Sequence, residues 1–199
     1  TIKQKRMSKF LIAGLGNIRE EYAGTRHNIG FDVLDHMAKE AGVKFTSGRL
    51  ADVAEMKYKG KTLILVKPTT FMNLSGKAIN YWLQAEKVSI DNLMVVVDEL
   101  ALPLGKVRIG PKGSDGGHNG LKNIQETLNT SNYPRLRFGI GNVPIAIGIG
   151  KGYQVDYVLG KWNDEERKIL SERIKLAADA IKAFAFGGLQ NCMNTYNPK

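Results

Sequence analysis

The chain has 199 residues, of which 43% are hydrophobic and 24% charged, a composition typical of one globular domain and unlike disordered or collagen-like chains. It has no apolar run near the ~18 residues of a membrane-spanning helix, and its lone Cys192 excludes an intramolecular disulfide and favours a reducing, cytoplasmic location. The net charge of +10 favours a polyanionic partner such as nucleic acid over a merely solvated basic surface. Residues 106–151 concentrate this charge, with seven basic against two acidic side chains.

Strands and helices are predicted to alternate along the chain. Apolar patterns of the β type predict strands over 9–13, 51–58, 62–66, 92–97, 106–109 and 136–140. Helical spacing predicts helices over 29–41, 76–86, 120–128, 164–186 and 189–196. The nearly continuous apolar run 92–97 is typical of a central strand buried on both faces. With one hairpin expected around Lys59-Gly60-Lys61, the pattern predicts an α/β sandwich with a mixed sheet.

Boundary residues support these elements. Ser75 and Asn163 are expected to be the N-caps of the second and fourth helices, and Gly42 suits the position that follows the first helix. The glycine-rich stretch 141–154 is the best candidate for a mobile loop or lid.

Common functional motifs are absent or broken. The turn Gly14-Leu15-Gly16 after the first strand is similar to the start of a dinucleotide-binding fingerprint, but Arg19 occupies the third glycine position. The sequence has neither a phosphate-binding P-loop nor the Gly-x-Ser-x-Gly elbow of a serine hydrolase. Its three histidines and one cysteine lack the spacing of a zinc site, so no metal is predicted.

Polar side chains instead follow the predicted strands or open the predicted helices. They are Asn17, His27, Asn28, Asn73, Asp98, Glu99, His118 and Asn119. In open α/β sheets, ligands bind outside the carboxyl ends of the strands, where such side chains converge. Each asparagine alone is typical of a turn, and Asp98 alone of a capping group, but together they indicate a site. His36 lies on an amphipathic helix, is expected to be solvated and is assigned no role.

Longer motifs around these residues identify a family. They occupy positions 14–17, 25–31, 67–76, 98–100, 116–120, 135–141, 158–161 and 193–197, together with Tyr22. In this order they closely resemble the bacterial peptidyl-tRNA hydrolases, over residues 9–197. The resemblance implies a single α/β domain of the phosphorylase/hydrolase-like kind, with a twisted mixed sheet and helices on both sides. We expect this domain to span 9–199 and residues 1–8 to be an N-terminal extension that is partly of non-native origin.

The resemblance also implies an activity. Such an enzyme hydrolyses the ester between a peptide, or an N-blocked amino acid, and the 3′ end of tRNA, and thereby recycles tRNA from prematurely released peptidyl-tRNA. It implies a cytoplasmic monomer that binds no membrane, needs no metal or other cofactor, and contacts the acceptor stem and the 3′ CCA end of its substrate.

The chemistry of the candidate residues fits this reaction. His27 is expected to be the general base, because the ordinary pKa of histidine lies near the working pH. Asp98 would accept the other ring N–H and stabilise the imidazolium that forms, and the resemblance supports this pair as catalytic. Asn119, and Asn73 as a further candidate, would donate to the carbonyl oxygen or the developing oxyanion.

Other residues are expected to bind the peptide and the terminal adenosine. Asn17 and Asn73 suit a peptide backbone, since an amide side chain both donates and accepts. Asn17 would spare aminoacyl-tRNA, because burying its free ammonium without a carboxylate partner is costly. Tyr22 and Phe71 resemble positions that line the adenosine site. The resemblance adds two further substrate-binding residues, Met72 and His118.

The phosphates of the acceptor stem are expected to meet basic side chains. Arg108 and Arg137 match basic family positions, whereas Lys106 and Lys112 are inferred from charge alone. Two alternatives stay open at this point. One is a non-catalytic RNA-binding protein on the same fold, as in the chloroplast intron-splicing relatives of the family, and the other is a nucleotide-dependent enzyme that uses the turn at 14–16.

Overall fold

A computed structural model describes residues 8–141, 148 and 150–199, and a mixed seven-stranded sheet lies at its centre. The strands are β1 (Lys9–Gly14), β2 (Thr46–Ser47), β3 (Ala51–Tyr58), β4 (Lys61–Pro68), β5 (Leu93–Glu99), β6 (Val107–Gly110) and β7 (Arg135–Gly139). Their spatial order is β2-β3-β4-β1-β5-β7-β6. Strands β4, β1, β5 and β7 run parallel, whereas the pairs β2–β3, β3–β4 and β6–β7 are antiparallel. The carboxyl ends of four neighbouring strands therefore meet at one edge of the sheet.

Helices cover both faces of this sheet, as expected for the predicted α/β fold. They are α1 (Ile29–Ala41), α2 (Ser75–Ala85), α3 (Asn119–Leu128), α4 (Lys151–Val158), α5 (Asp164–Gly187) and α6 (Leu189–Tyr196). Helices α1, α5 and α6 pack with one face of the sheet in one hydrophobic cluster, and α2 and α3 pack with the other face in a second cluster.

Strand β5 belongs to both clusters. Met94 and Val96 face the layer of α1 and α5, whereas Leu93, Val95 and Val97 face the layer of α2 and α3, and all five are fully buried. The prediction of a central strand buried on both faces is confirmed. Burial of one such side chain contributes about 1.5–3 kcal/mol. Strand β5 is therefore firmly held in the core and gives Asp98, at its carboxyl end, a fixed position.

The predicted hairpin and two of the three predicted helix boundaries are confirmed. Lys59 and Gly60 join β3 to β4 with φ angles of 45° and 77°, the left-handed pair that a tight hairpin turn requires. Gly42, with φ of 69°, ends α1, and Asn163 caps α5 in a reciprocal capping box with Glu166. The prediction of Ser75 as an N-cap is wrong. Ser75 is the first residue of α2, and its hydroxyl donates to the Met72 carbonyl at 2.7 Å instead of accepting from the helix.

Half of the candidate lid at 141–154, namely residues 142–147 and 149, falls outside the described residues. Its last four residues, 151–154, form the first turn of α4. The first seven residues of the N-terminal extension also lie outside them. Among the helices of the described ranges, none is long and apolar enough to cross a membrane.

Candidate active site

Close backbone packing brings the start of α1 over the carboxyl ends of β1 and β5. A Cβ atom on Gly30 would lie 2.5 Å from the Leu15 nitrogen and 2.6 Å from the Val96 carbonyl oxygen, so only glycine permits this approach. Helix α1 follows a 3-10 turn at Arg26–Asn28, and this turn carries His27 to the strand edge. Asp98 reaches the same place from β5.

Two imidazoles share the carboxylate of Asp98. His27 Nδ1 lies 3.0 and 2.9 Å from the two carboxylate oxygens, and His118 Nε2 lies 2.9 Å from Oδ1. Asp98 is only 6% exposed, so it needs such partners to remain charged. The expected pairing of His27 with Asp98 is present, and His118, which was expected to bind substrate, joins it.

The hydrogen bonds around these rings assign their protons. His118 Nδ1 accepts from the Gly120 and Leu121 amides at 3.1 and 3.4 Å, so it carries no proton and caps helix α3. Its Nε2–H must then donate to Asp98. His27 Nδ1 likewise donates to Asp98, and no described residue bonds its Nε2. The unshared electron pair on His27 Nε2 is therefore available to take a proton.

The same contacts shift both ionisation equilibria. Burial alone would raise the pKa of Asp98, but the two histidines outweigh it and hold that pKa well below its usual range. Burial alone would lower the pKa of His27, but the charge and hydrogen bond of Asp98 outweigh it, so the pKa of His27 lies above 6.5. Asp98 is thus an anion that stabilises a proton on His27.

The cluster has the donor types of a metal site but not the protonation that a metal needs. Ligand atoms of His27, Asp98 and His118 lie within 4.8 Å of one another. A metal on His118 Nε2 would move the ring proton to Nδ1, where it would face the amide protons of Gly120 and Leu121. The capping of α3 therefore opposes metal binding at this cluster.

Asn28 fixes the turn that carries Asn17, beside the cluster of His27, Asp98 and His118, a contact that the sequence did not predict. Its Oδ1 accepts from the Asn17 amide at 2.8 Å, and its Nδ2 donates to the Asn17 carbonyl at 2.9 Å. Asn28 is 3% exposed, whereas the half-buried Asn17 side chain makes no hydrogen bond among the described residues. The position of Asn28, directly after His27 and before the first residue of α1, was the available signal.

The remaining substrate candidates differ in exposure. Asn73 is exposed in the 3-10 turn Met72–Leu74 before α2, and Asn119 is exposed as the first residue of α3. Phe71 is 62% exposed, with the Arg19 guanidinium carbon 5.9 Å from its ring centroid. Tyr22 is half-buried in a short 3-10 turn. Met72 is buried, and its sulfur lies where a Cβ on Gly120 would approach to 2.8 Å, so it packs beneath the start of α3.

Comparison with known proteins agrees with this geometry. The family described as Peptidyl-tRNA hydrolase matches residues 11–199. The chain belongs to the peptidyl-tRNA hydrolase family. It is 53% identical to the peptidyl-tRNA hydrolase of Phocaeicola vulgatus and 54% identical to that of Cytophaga hutchinsonii, over 96% of this chain and 100% and 99% of those proteins. The crystal structure of peptidyl-tRNA hydrolase from Acinetobacter baumannii superimposes with a TM-score of 0.87 at 30% identity, over 96% of this chain and 95% of that one.

The four predicted phosphate contacts of this peptidyl-tRNA hydrolase family member fall into two groups. Arg108 and Lys112 are exposed. Arg137 instead donates to Glu99 and to the Ser114 carbonyl, both at 2.7 Å, and Lys106 donates to the Asn197 carbonyl at 2.7 Å. Arg108 stands opposite Arg137 in the β6–β7 register, so their side chains leave the sheet on one face.

An acidic cavity that the sequence did not predict adjoins the Asn17 turn in this member of the peptidyl-tRNA hydrolase family. Its volume is about 200 Å³, and its lining includes Asn17, Arg19, Asn28, Phe31, Asp32, Asp35, Asp52 and Lys67. Lys67 pairs with Asp35 at 2.6 Å, whereas Asp32 has no ion-pair partner among the described residues. Burial and the nearby Asp35 outweigh Lys67 and raise the pKa of Asp32 to about 7.

Proposed function

We propose that this protein hydrolyses the ester between a peptide, or an N-blocked amino acid, and the 3′ terminal ribose of tRNA, and so recycles tRNA from prematurely released peptidyl-tRNA. The observation that carries the proposal is the state of His27. Its Nδ1 is bonded to the buried Asp98 carboxylate, while its Nε2 meets no described residue. This is the arrangement that a general base requires.

Water is the nucleophile in this mechanism. His27 Nε2 removes a proton as the water oxygen attacks the ester carbonyl, and Asp98 stabilises the imidazolium through the bond to Nδ1. The imidazolium then returns the proton to the departing ribose oxygen. An ester needs less help to expel its leaving group than an amide does, so one base with suitable hydrogen-bond donors suffices. The reaction needs no metal or other cofactor.

The oxyanion is assigned to the beginning of α3. Asn119 is the first residue of that helix, next to His118, and the N-terminus of a helix favours negative charge. Asn73, in the 3-10 turn before α2, is a second donor. His118 acts as a positioning residue, because its donation to Asp98 keeps the carboxylate charged and oriented.

Substrate selection is assigned to the turns around the cluster. The Asn17 side chain pairs with the backbone of the substrate peptide. Asn28 bonds only the main chain of Asn17, so the side-chain amide of Asn17 is available to the substrate. An unblocked aminoacyl-tRNA presents an ammonium there and is spared. Tyr22 and Phe71 stack on the terminal adenosine, and stacking of this kind is worth about 1–3 kcal/mol per base. Met72 supports these residues from below.

Basic side chains bind the acceptor stem in this proposal. Arg108 and Lys112 contact phosphates directly, and Arg137 and Lys106 do so after exchanging their internal partners for phosphate oxygens. The protein acts as a monomer in the cytoplasm, with residues 9–199 as its catalytic domain. It recognises the acceptor stem and the 3′ CCA end of many tRNAs, since phosphate contacts carry little sequence information.

The test is release of N-acetyl-amino acid from N-acetyl-aminoacyl-tRNA in the presence of EDTA, with wild type beside His27→Ala. General-base catalysis is worth about 10²–10⁴-fold, so we expect kcat to fall by at least 100-fold in the variant. A loss of less than tenfold would contradict the role of His27. An inactive wild-type protein that still binds tRNA tightly would favour the non-catalytic RNA-binding alternative.

A further inference from the structure

A buried guanidinium anchors the turn that carries His27. Arg26 is 8% exposed, and its Nη2 donates to both carboxylate oxygens of Glu166, at 3.1 and 2.9 Å. Its Nη1 donates to the Tyr157 carbonyl at 3.2 Å, and its guanidinium carbon lies 4.2 Å from the Tyr157 ring centroid and 5.5 Å from that of Trp162. All these partners lie at least 130 residues along the chain from Arg26, in or between α4 and α5.

The main chain of the same turn is tied to the same region. The Arg26 amide donates to the Gly160 carbonyl at 3.0 Å, and Thr25 forms a β-bridge with Lys161. A Cβ on Gly160 would lie 2.8 Å from Arg26 Nη1, so the fit is tight. The turn therefore rests on the α4–α5 connection on one side.

The other constraints on His27 come from the sheet. Asp98 fixes Nδ1 from the end of β5, and Asn28 ties the next residue to the turn after β1. Neither contact determines where the main chain of residue 27 lies relative to Asp98 along the strand edge. The contacts of Arg26 supply this missing constraint, because Arg26 and His27 are adjacent residues of one turn.

The pairing of Arg26 with Glu166 indicates a role beyond stability. A buried ion pair is weak evidence for stability, since apolar residues of equal volume often serve as well. A planar guanidinium with several fixed donors instead imposes one geometry on the groups it joins. We propose that Arg26, held by Glu166, is a positioning residue for the hydrolysis, and that it places the His27 ring against Asp98. This inference rests on the proposed role of His27 as general base.

Glu166→Gln and Arg26→Lys test the proposal, with two matched controls. Glu165→Gln makes the same exchange one residue earlier in α5, where the exposed carboxylate pairs with Lys168 and does not contact Arg26. Arg173→Lys makes the arginine exchange in α5 where, among the described residues, the guanidinium donates to the Gly105 and Lys199 carbonyls. Steady-state kinetics on N-acetyl-aminoacyl-tRNA across pH, and thermal unfolding, are measured for all four. His27→Ala is included as the reference for the function itself.

We expect Glu166→Gln and Arg26→Lys to lower kcat by about tenfold or more with KM within about twofold, because small displacements of a catalytic group cost up to 10² in rate. Among the described residues, the charged or titratable groups that face the His27 ring are Asp98 and His118. A loosened contact with Asp98 therefore also lowers the pKa of His27 and moves the acidic limb of the pH profile downward. The two control variants should keep the wild-type kcat and pH profile, even if their melting temperatures fall.

Two results would overturn the proposal. One is a wild-type kcat and pH profile in both test variants while His27→Ala is inactive. This result would contradict the positioning role of Arg26 and leave the role of His27 intact. The other is an equal loss of kcat in the controls at an equal drop in melting temperature, which would assign the cluster to stability. Near wild-type activity of His27→Ala would instead contradict the proposed function from which the inference starts.

Discussion

The two turns that bring His27 and His118 to one carboxylate differ in what the far nitrogen of each ring does. The far nitrogen of His118 accepts two amides at the start of α3, and that of His27 bonds to no described residue. The same side chain, against the same partner, is thus a helix cap in one turn and a candidate base in the other. What distinguishes a positioning histidine from a general base here is therefore the partner of its second ring nitrogen, and not its distance from Asp98.

Replacing the shared carboxylate should have the largest effect on this pair. Asp98→Asn leaves one acceptor oxygen where two ring N–H groups converge, so one imidazole loses its bond or changes its tautomer. We expect kcat to fall by about 100-fold or more, since the wrong tautomer of a catalytic histidine is costly. Single-turnover hydrolysis of N-acetyl-aminoacyl-tRNA would measure it. Wild-type turnover would contradict the shared-carboxylate account.

Separating the two jobs of His118 should give a smaller effect. His118→Asn keeps an oxygen that can cap α3 but loses the N–H that donates to Asp98. A hydrogen bond to a charged group contributes about 1.5 kcal/mol to stability, so we expect His118→Asn to lose about that much unfolding free energy. We also expect kcat to fall about tenfold, because Asp98 then has one donor fewer to orient its carboxylate against His27. His118→Ala should lose the same activity and, in addition, about 1 kcal/mol of unfolding free energy with the cap.

The opposite pattern would break the comparison between the two turns. If His118→Asn lost activity as completely as His27→Ala, His118 would be doing chemistry and not positioning. Urea unfolding of both His118 variants, beside wild type, separates the loss of the cap from the loss of the Asp98 contact.

The pH dependence should show the smallest effect. The pKa of His27 is raised, so kcat/KM should rise with pH through a midpoint above 6.5, where the base becomes neutral. The bond between His27 and Asp98 stabilises the folded state fully below 6.5, and this contribution is lost as the pH rises through the raised pKa. The lowered pKa of Asp98 acts in the other direction, giving stability that is present above 3.8 and lost as the pH falls. A midpoint below 6.5 in the activity profile would contradict the predicted contact.

The sequence predicted the fold well because local patterns determine most of it. The apolar run of β5, the hairpin at Lys59 and the cap at Asn163 each follow from neighbouring residues alone. Ser75 failed as a cap because Met72, three residues earlier, offered its hydroxyl a carbonyl acceptor.

The site was only partly predictable. Polar residues at strand ends, with the family resemblance, pointed to His27 and Asp98, which lie 71 residues apart along the chain. The engagement of Arg137 by Glu99, the Asn28 tie and the cavity beside Asp32 depend on how separate elements approach one another in space. No local pattern records such approaches, and a basic residue in a sequence does not tell whether an acidic neighbour already holds it.

The tautomers of the two histidines test the central claim most directly. ¹⁵N NMR of the imidazole nitrogens, at a pH where both rings are neutral, distinguishes a protonated ring nitrogen from an unprotonated one. We expect opposite tautomers, with the proton on Nδ1 in His27 and on Nε2 in His118. A His27 ring protonated on Nε2 would leave no base facing the substrate and would contradict the account.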